Sequence, residues 1–254
     1  MKALASALRI LDEFALRNEP LGVTELAERL GIQKSNVSKV LSTFRDNGYL
    51  YQDPITKKYL VGLNAFALGN NYINSNRLSR VSLPSMRKLV DDTGHSAVVS
   101  VMQGGDVIHV LAVEGRLFVD GRWRVGLWMP YHATSAGKVL LAFGAPNQLD
   151  YLLKTRGLPY VTAKTITDQR KFRNVVQKAE KNGFAISRGE TLPGSSALAV
   201  PLFDGSPFAV ATLGLICPEH LLTDEEADRL LPALQKCARE ISLRLGAGTY
   251  PFGH

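Results

Sequence analysis

Cysteine is scarce in this sequence, in which Cys217 and Cys237 are the only two. They lie apart, with no cluster of further Cys or His residues beside them, which excludes a zinc knuckle and a disulfide framework. Long hydrophobic runs are also missing, since the longest apolar stretches, around residues 139–145 and 208–217, are much shorter than the roughly 18 residues of a membrane span. The first residues lack the basic segment and cleavage site of a secretion signal. We therefore expect a cytoplasmic protein with no membrane partner.

The motifs of the common enzyme classes are absent as well. No G-x-S-x-G, H-E-x-x-H or G-x-G-x-x-G pattern occurs. Ser135 and Lys138 match the S-x-x-K pattern of penicillin-binding enzymes, but the partner motifs S-D-N and K-T-G are missing. The same segment differs from a phosphate-binding loop, because its first Gly is missing and Val139 replaces the required Ser or Thr. We expect no catalytic residue, no metal site and no cofactor.

The composition is that of a folded protein with a basic N-terminal part. The chain has 254 residues, of which 45% are hydrophobic and 21% charged, as in one large domain or two ordinary ones. Residues 1–80 hold 11 Lys and Arg against 7 Asp and Glu, a net charge of +4, whereas the other 174 residues hold 19 against 16, a net charge of +3. This excess fits a nucleic-acid partner for the first third, although an ordinary basic surface has the same charge.

Three helices are predicted in this first third. Residues 2–16 place apolar side chains at helical spacing, and Thr24 is a candidate N-cap for a short helix over 25–30. Gly31 makes a turn, and a further helix follows over 34–47. A helix, a short turn containing Gly and a second helix form the helix-turn-helix arrangement.

The outward face of the helix over 34–47 carries short polar side chains and cations, with no acid before Asp46. A helix that enters the major groove of DNA needs donors and acceptors for base edges, and Lys or Arg for phosphates. An ordinary polar surface helix is the alternative. The outward residues of this face are Gln33, Lys34, Ser35, Asn36, Ser38, Lys39, Ser42, Thr43 and Arg45. All of them except Thr43 are candidate DNA-binding residues, and Thr24 of the preceding helix is a further candidate.

A β-hairpin is predicted directly after this helix. Residues 49–52 and 58–61 have the pattern of two short strands, joined by a turn that contains Asp53 and Pro54. A hairpin in this position is a wing, and Lys57 and Lys58 at its tip are placed to contact the DNA backbone or minor groove. Lysine at a hairpin tip is common on any surface, so the position of the hairpin carries more weight than its charge.

The rest of the chain changes character near residue 95. A connecting helix is predicted over 62–78, and a helix over 81–91 with Pro84 in its first turn. Thr223 is the expected cap of the last helix. Strands are predicted at 95–102, 107–113, 117–119, 122–126, 184–187, 197–203 and 208–215, and helices at 135–143, 147–155, 168–182 and 224–245.

Several segments in order make the chain resemble the IclR family of bacterial transcriptional regulators. They are ALRILDEF, VTELAERLGIQKSNVSKVLSTFRDNGYL, PYHATSAGKVLLAF, and GFAISRGETLPGSSALAVPLFDG followed by LTDEE. The resemblance implies an α+β fold, with a winged helix-turn-helix over 1–62, a linker helix over 63–78 and a GAF-like effector-binding domain with an antiparallel sheet over 79–254. It also implies a homodimer or homotetramer that binds double-stranded operator DNA and a small organic acid or aromatic effector.

The segment before the helix at 135–143 is the candidate effector site. Thr134 or Ser135 would cap this helix, which leaves backbone amides unpaired at the positive end of the helix dipole. Such an end binds a carboxylate or phosphate, and the small residues Ser135, Ala136 and Gly137 let a ligand approach closely. An ordinary capped helix packed on the sheet is the alternative. The histidines are scattered singly and are interpreted as packing or surface residues, except that His132 is a candidate effector contact.

In proteins of this family the ligand also meets the segments that match 187–197 and the last strand. The resemblance therefore adds further candidate effector contacts, which are Ser187, Glu190, Ser195, Ser196, Ala197, Gly214 and Ile216.

Two departures from the family pattern bear on the kind of effector. Ser187 stands where relatives often carry an acid, and the last strand lacks serines found in members that bind small keto acids, so a very small and highly polar effector is not expected. The aromatic residues Phe118, Trp123, Trp128 and Tyr131 favour a larger, aromatic ligand, because pockets use such side chains for contact area. Core or dimer contacts are an equal alternative for them.

A second hypothesis from another class is a GAF-like binding or catalytic protein whose helix-turn-helix contacts other proteins. A protein-binding helix would expose apolar residues on its outward face, and the outward face of 34–45 has none. The sequence therefore favours the regulator.

Overall fold

The computed structural model describes residues 2–17, 19–117 and 125–253. Within them the chain divides into two compact units, Met1–Ser75 and Asn76–His254. The first unit is mostly helical with a two-stranded hairpin, and the second is built on a six-stranded antiparallel sheet. The predicted α+β class, with an N-terminal helix-turn-helix and an antiparallel C-terminal sheet, is confirmed.

The first unit opens with three helices around one apolar core. They are α1 (Lys2–Leu16), α2 (Val23–Leu30) and α3 (Lys34–Asp46). Each helix buries the face on which apolar residues recur every three or four positions. Gly31 ends α2 in the left-handed conformation, with φ 63°, which glycine adopts without strain. The buried core residues of this unit are Ile10, Phe14, Leu21, Leu26, Val37, Leu41, Leu50 and Tyr59.

Helix α2 starts earlier than the sequence suggests, and the expectation that Thr24 caps it is wrong. The N-cap is Gly22, and Thr24 lies in the first turn, where it is exposed. The side chain of Glu25, three residues after the cap, accepts a hydrogen bond from the Gly22 amide at 3.4 Å. This carboxylate pairs the amide of the cap residue itself, as the N3 side chain of a capping box does, while Gly22 has no side chain to accept from the first-turn amides.

The hairpin consists of β1 (Leu50–Gln52) and β2 (Tyr59–Val61), which pair antiparallel. A helix, α4 (Leu63–Ser75), follows it and buries none of its residues. It ends three residues before the predicted boundary at 78, because the Asn76 side chain accepts a hydrogen bond from the Leu78 amide and begins the next helix.

That next helix, α5 (Arg77–Thr93), opens the second unit. The expectation that Pro84 lies in a first turn is wrong, since α5 begins at Arg77 and Pro84 is internal. Proline at an internal position leaves a helix carbonyl without its usual N–H partner. The Asn76 cap is the start signal that hydrophobic periodicity alone does not reveal.

The sheet of the second unit has the strand order β5-β4-β3-β8-β7-β6, with every neighbouring pair antiparallel. The strand β5 was not expected, and the strands expected at 117–119 and 122–126 fall largely outside the described residues. Strand β8 starts at Ala211, three residues later than predicted, and Val210 before it already donates a hydrogen bond to the Leu202 carbonyl. The strands are β3 (Ser96–Gln103), β4 (Asp106–Val113), β5 (Trp128–Pro130), β6 (Ala185–Arg188), β7 (Ser195–Leu202) and β8 (Ala211–Pro218).

The other helices lie close to their predicted bounds. The side chain of Thr223 caps the helix that starts at Asp224, as predicted, and the side chain of Asp168 caps the helix that starts at Gln169. They are α6 (Ser135–Ala142), α7 (Gln148–Thr155), α8 (Gln169–Asn182) and α9 (Asp224–Leu245). None of the helices in the described residues has the length and hydropathy that crossing a bilayer requires.

The two faces of the sheet pack against different helices. One face forms the main core with α5 and α9, through strand residues such as Val99, Leu198 and Leu213. The other face lies against α6, where Val139 packs with Ala199. Because strand side chains alternate between faces, the residues between those of the main core are free to line a space beneath α6.

Candidate nucleic-acid interface and ligand cavity

Helix α3 presents its predicted polar face to solvent. All of the outward residues of α3 are exposed except Ser42, which is half-buried. Val37 and Leu41 are fully buried on the opposite side. No carboxylate occupies this face before Asp46, so the positive charge of Lys34 and Lys39 is not neutralised along the helix.

Arg45 ties the end of α3 to the hairpin. Its guanidinium donates two hydrogen bonds to Asp46 Oδ1, at 2.9 and 2.8 Å, and one to Gln52 Oε1 at 3.0 Å. The Asp46 carboxylate raises the pKa of Arg45. Gln52 in turn donates to the Lys57 carbonyl at 3.0 Å. This chain of contacts fixes the wing relative to α3, so Arg45 has a positioning role within the unit.

The tip of the hairpin is a turn organised by Asp53. Its carboxylate accepts hydrogen bonds from the amides of Thr56 and Ile55, which lower its pKa. Lys57 adopts a left-handed conformation with φ 58°, and both it and Lys58 are exposed. The ordered turn therefore holds two lysine side chains in solvent beside α3.

A cavity of about 160 Å³ lies between the sheet and α6. An engineered protein cavity of roughly this size, about 150 Å³, holds one benzene molecule. No Asp, Glu, Lys or Arg lines it among the described residues. Its lining residues are Val98, Ser100, His109, Leu127, Met129, Thr134, Ser135, Ala136, Ser187, Thr191, Leu192, Ser195, Ser196, Ala197, Ala199, Gly214 and Ile216.

The N-terminus of α6 forms one wall of this cavity. Thr134 is the N-cap, and its hydroxyl accepts a hydrogen bond from the Gly137 amide at 3.0 Å. The amides of Ser135 and Ala136 precede that bond in the first turn, where a helix supplies no backbone acceptor. Both residues line the cavity. The wall thus offers two amide donors and the positive end of a helix dipole.

A second polar group of the cavity wall comes from two paired strands. His109 Nδ1 and Ser100 Oγ lie 2.8 Å apart, on β4 and β3. Burial lowers the pKa of His109 to about 4, so its ring is neutral near pH 7. The rest of the wall is mostly apolar, with side chains such as Val98, Leu127 and Met129, and also includes the hydroxyl residues Ser187, Thr191, Ser195 and Ser196.

A buried ion pair holds α6 to the segment after β6. Lys138 Nζ donates to Glu190 Oε1 at 2.5 Å and to the Ile186 carbonyl at 3.1 Å. Lys138 is 1% exposed. Burial lowers the pKa of Lys138 and raises the pKa of Glu190, and the attraction between the two charges partly offsets both shifts. The pair stands behind the cavity wall and joins two segments that line it.

The structure brings most of the predicted effector-site residues together. Trp123 lies outside the described residues. Nine of the predicted residues line the cavity, namely Thr134, Ser135, Ala136, Ser187, Ser195, Ser196, Ala197, Gly214 and Ile216.

Four predicted residues lie outside the lining, each held by other contacts. Trp128 pairs with Ile108, which packs against the main core on the other face of the sheet. His132 is fully buried, and its Nε2 bonds to the Pro159 carbonyl at 2.8 Å. A Cβ on Gly137 would lie 2.0 Å from the Tyr131 carbonyl oxygen, so glycine there serves close packing. Glu190 is engaged by Lys138.

Sequence reasoning missed several lining residues, above all Ser100 and His109. Strand alternation places Ser100 on the same face as Val98, but the strand pairing and the bulge that bring His109 beside Ser100 are not visible in the sequence. The full set that was missed is Val98, Ser100, His109, Leu127, Met129, Thr191, Leu192 and Ala199.

Comparison with known proteins agrees with this division into two parts. The family model described as bacterial transcriptional regulator IclR C-terminal matches residues 70–243, and the IclR helix-turn-helix domain model matches residues 3–54. The chain is 29% identical over 242 residues to the HTH-type transcriptional regulator BhcR of Paracoccus denitrificans, an alignment that covers 95% of this chain and 86% of the relative.

Solved structures have the same fold. An IclR transcriptional regulator from Alicyclobacillus acidocaldarius aligns with a TM-score of 0.82 at 27% identity, over 97% of this chain and 99% of the other. An IclR homologue from Microbacterium hydrocarbonoxydans, complexed with 4-hydroxybenzoate, aligns with a TM-score of 0.79 at 22% identity, over 96% and 98%. The chain therefore belongs to the IclR family and is a transcriptional regulator, not an enzyme, with an N-terminal helix-turn-helix DNA-binding domain and a C-terminal ligand-binding domain.

Proposed function

We propose that this regulator binds operator DNA through α3 and the wing, and that a small organic effector with a carboxylate and an aromatic ring binds in the cavity beneath α6. The observation that carries the proposal is the exposed face of α3, which is polar and basic and has no carboxylate before Asp46. The proposed boundaries are 1–62 for the DNA-binding domain, 63–78 for the linker and 79–254 for the effector-binding domain.

The side chains proposed to contact DNA divide into two groups. Short polar residues of α3, such as Ser35, Asn36 and Ser38, suit hydrogen bonds to base edges in the major groove. Lys39, Lys57 and Lys58 suit phosphate contacts, which supply affinity that depends on salt. Arg45 acts in this proposal mainly by fixing the wing, because Asp46 and Gln52 already engage its guanidinium.

The chemistry of the cavity supports a carboxylate effector of one ring. The amides of Ser135 and Ala136 are donors for an anion at a helix N-terminus. The apolar walls and a volume of about 160 Å³ suit a benzene-sized ring. The homologue from Microbacterium hydrocarbonoxydans, which has the same fold, is complexed with such a compound, 4-hydroxybenzoate.

We also propose that the protein works as a homodimer or homotetramer. Helix α4 buries no residue, and its Leu63 and Phe66 are 82% and 67% exposed. Leu4 and Leu8 of α1 are 67% and 52% exposed. Large exposed apolar side chains concentrated on two helices of one unit are typical of an interaction surface. A second copy of the chain would cover them.

Effector binding is proposed to act by a population shift. An effector that binds one arrangement of the C-terminal domains more tightly favours that arrangement, and the linker carries the change to the spacing of two α3 helices in the oligomer. The effector can do this only if its affinity differs between the arrangements.

Fluorescence anisotropy of labelled DNA from upstream of the regulator's own gene tests the proposed DNA binding. Titrations at two salt concentrations are compared with scrambled DNA of equal length. We expect tighter binding to the upstream DNA that persists at the higher salt concentration. Equal, weak binding to both DNAs that disappears with salt would indicate only non-specific electrostatics and contradict the proposal.

A further inference from the structure

A β-bulge places His109 on the cavity face of the sheet. Strands β3 and β4 pair Ala97 with Val113 and Val99 with Leu111, and the register then shifts so that Ser100 pairs with His109. Val110 is the extra residue of the bulge. Had the first register continued, His109 would pair with Val101, whose side chain packs toward the main core. The bulge thus moves the imidazole to the cavity, and bulges of this kind often reorient a side chain beside a functional site.

The imidazole is held firmly and keeps one nitrogen available. Its Nδ1 bonds to Ser100 Oγ, and His109 is 6% exposed. No hydrogen bond to Nε2 is formed by any residue in the described parts of the chain, and the ring lines the cavity. The Ser100 hydroxyl can either donate to Nδ1 or accept from it. His109 Nε2 can therefore present a donor or an acceptor to a ligand.

The charge of this group limits what it recognises. With a pKa of about 4, His109 stays neutral near pH 7, and protonating it to pair with an anion would work against the burial that lowers its pKa. A hydroxyl group suits it best, because a hydroxyl both donates and accepts. The carboxylate of the effector has its own donors at α6, on a different element of the cavity wall.

We propose that His109, held by Ser100, is a specificity-determining residue that recognises an uncharged hydroxyl group on the effector. The effector class is then a ring carboxylate with one hydroxyl substituent, and benzoates without the hydroxyl or with a second carboxylate are weaker ligands. This inference rests on the proposed function, since it needs a ring carboxylate in the cavity. Beyond the proposed function, it identifies the ligand group that the Ser100–His109 pair recognises, which is a hydroxyl.

Isothermal titration calorimetry on the full-length protein tests it with benzoate, 3-hydroxybenzoate, 4-hydroxybenzoate and benzene-1,4-dicarboxylate. Whichever of the two hydroxybenzoates binds more tightly should have roughly tenfold higher affinity than benzoate, because benzoate leaves His109 Nε2 without a partner. The dicarboxylate should bind more weakly than benzoate. In His109→Leu the preference for the hydroxyl should vanish while benzoate binding persists. His109→Gln, which restores an amide donor and acceptor, should recover part of the preference.

Met129→Leu is the matched control, since it changes an apolar lining residue and should alter the affinities for benzoate and hydroxybenzoate alike. Thermal unfolding of each variant checks that it is folded. The inference is overturned if wild type binds benzoate and both hydroxybenzoates equally, or if His109→Leu keeps the full preference. Failure of wild type to bind any of the four compounds would instead contradict the proposed ring-carboxylate effector, and with it the inference.

Discussion

The surface of the first unit that is proposed to contact DNA and the cavity of the second unit differ in almost every physical respect. The exposed face of α3 is built from consecutive turns of one helix and carries exposed cations such as Lys34 and Lys39. The cavity draws residues from all six strands of the sheet and from α6, and is lined, in the described chain, by no charged side chain. The buried ion pair Lys138–Glu190 stands behind the wall. The first region is suited to a long polyanion, and the second to a small, mostly apolar molecule.

This difference predicts unequal sensitivity to the removal of a lysine. Lys138→Ala leaves the Glu190 carboxylate buried without its partner, which should cost about 3–5 kcal/mol of unfolding free energy. Lys39→Ala on the exposed face of α3 should change it by less than about 0.5 kcal/mol. Urea denaturation of both variants measures this, and similar small losses would mean that the pair is not buried in solution.

The cavity should also give the protein a stability that depends on pH. The pKa of His109, lowered by burial from 6.5 to about 4, means that the folded state binds fewer protons than the unfolded state between these values. The unfolding free energy should therefore fall as pH drops from about 6.5 to 4, by up to roughly 3 kcal/mol from this residue.

Chemical denaturation at several pH values measures the slope in wild type and in His109→Leu. His95 and His132, whose pKa values burial also lowers, should leave part of the slope in the variant. Identical slopes in the two proteins would contradict a buried neutral His109.

The amide donors of the cavity can be removed one at a time. Ser135 is the first residue of α6, where proline is tolerated, and Thr134 has the extended conformation (φ −116°, ψ 145°) that a residue before proline prefers. Ser135→Pro should weaken benzoate binding by roughly tenfold or more, because a hydrogen bond to a charged group is removed. Calorimetry measures the affinity.

Two variants serve as controls for this change. Ser135→Ala keeps the amide and should bind benzoate nearly as wild type does. Gln169→Pro makes the same change at the first residue of α8, away from the cavity, and should have no effect on binding. Equal loss of affinity in Ser135→Ala and Ser135→Pro would assign the carboxylate contact to the hydroxyl instead.

The smallest expected effect concerns the wing. Replacing Lys57 and Lys58 by Ala should lower the slope of log affinity against log salt by about one for each phosphate that the variant no longer neutralises, without changing stability. Anisotropy titrations at several salt concentrations give the slope. Lys154→Ala, an exposed lysine of the second unit, is the control. An unchanged slope in the double variant would remove the wing tip from the proposed interface.

The two regions also differ in how far the sequence alone predicts them. Helix α3 and the hairpin follow from local periodicity and turn residues, so their bounds were predicted to within a residue or so. The cavity depends on pairing between distant strands. The bulge at Val110 reverses the face of His109, and the short strand β5 turns Met129 rather than Trp128 toward the cavity side. Neither is encoded in a local pattern.

Helix starts show the same limit on a smaller scale. The Thr223 cap is recognisable because acidic residues and a periodic helix follow it. The Gly22 start of α2 depends on Glu25 reaching back to the cap amide, and the Asn76 start of α5 lies within a run of polar residues that the periodicity assigns to the preceding helix. The spacing of apolar residues does not predict such helix starts, because they depend on hydrogen bonds made by individual side chains.

The most direct test of the account is whether ligand binding in the cavity changes the affinity of the protein for operator DNA. Hydroxybenzoate is titrated into the complex of full-length protein with labelled upstream DNA, and anisotropy reports the operator affinity, while calorimetry confirms that the cavity is occupied. We predict that saturating ligand changes the operator affinity by roughly fivefold or more, and that Ser135→Pro needs correspondingly more ligand. A ligand that fills the cavity and leaves operator affinity unchanged would contradict the account.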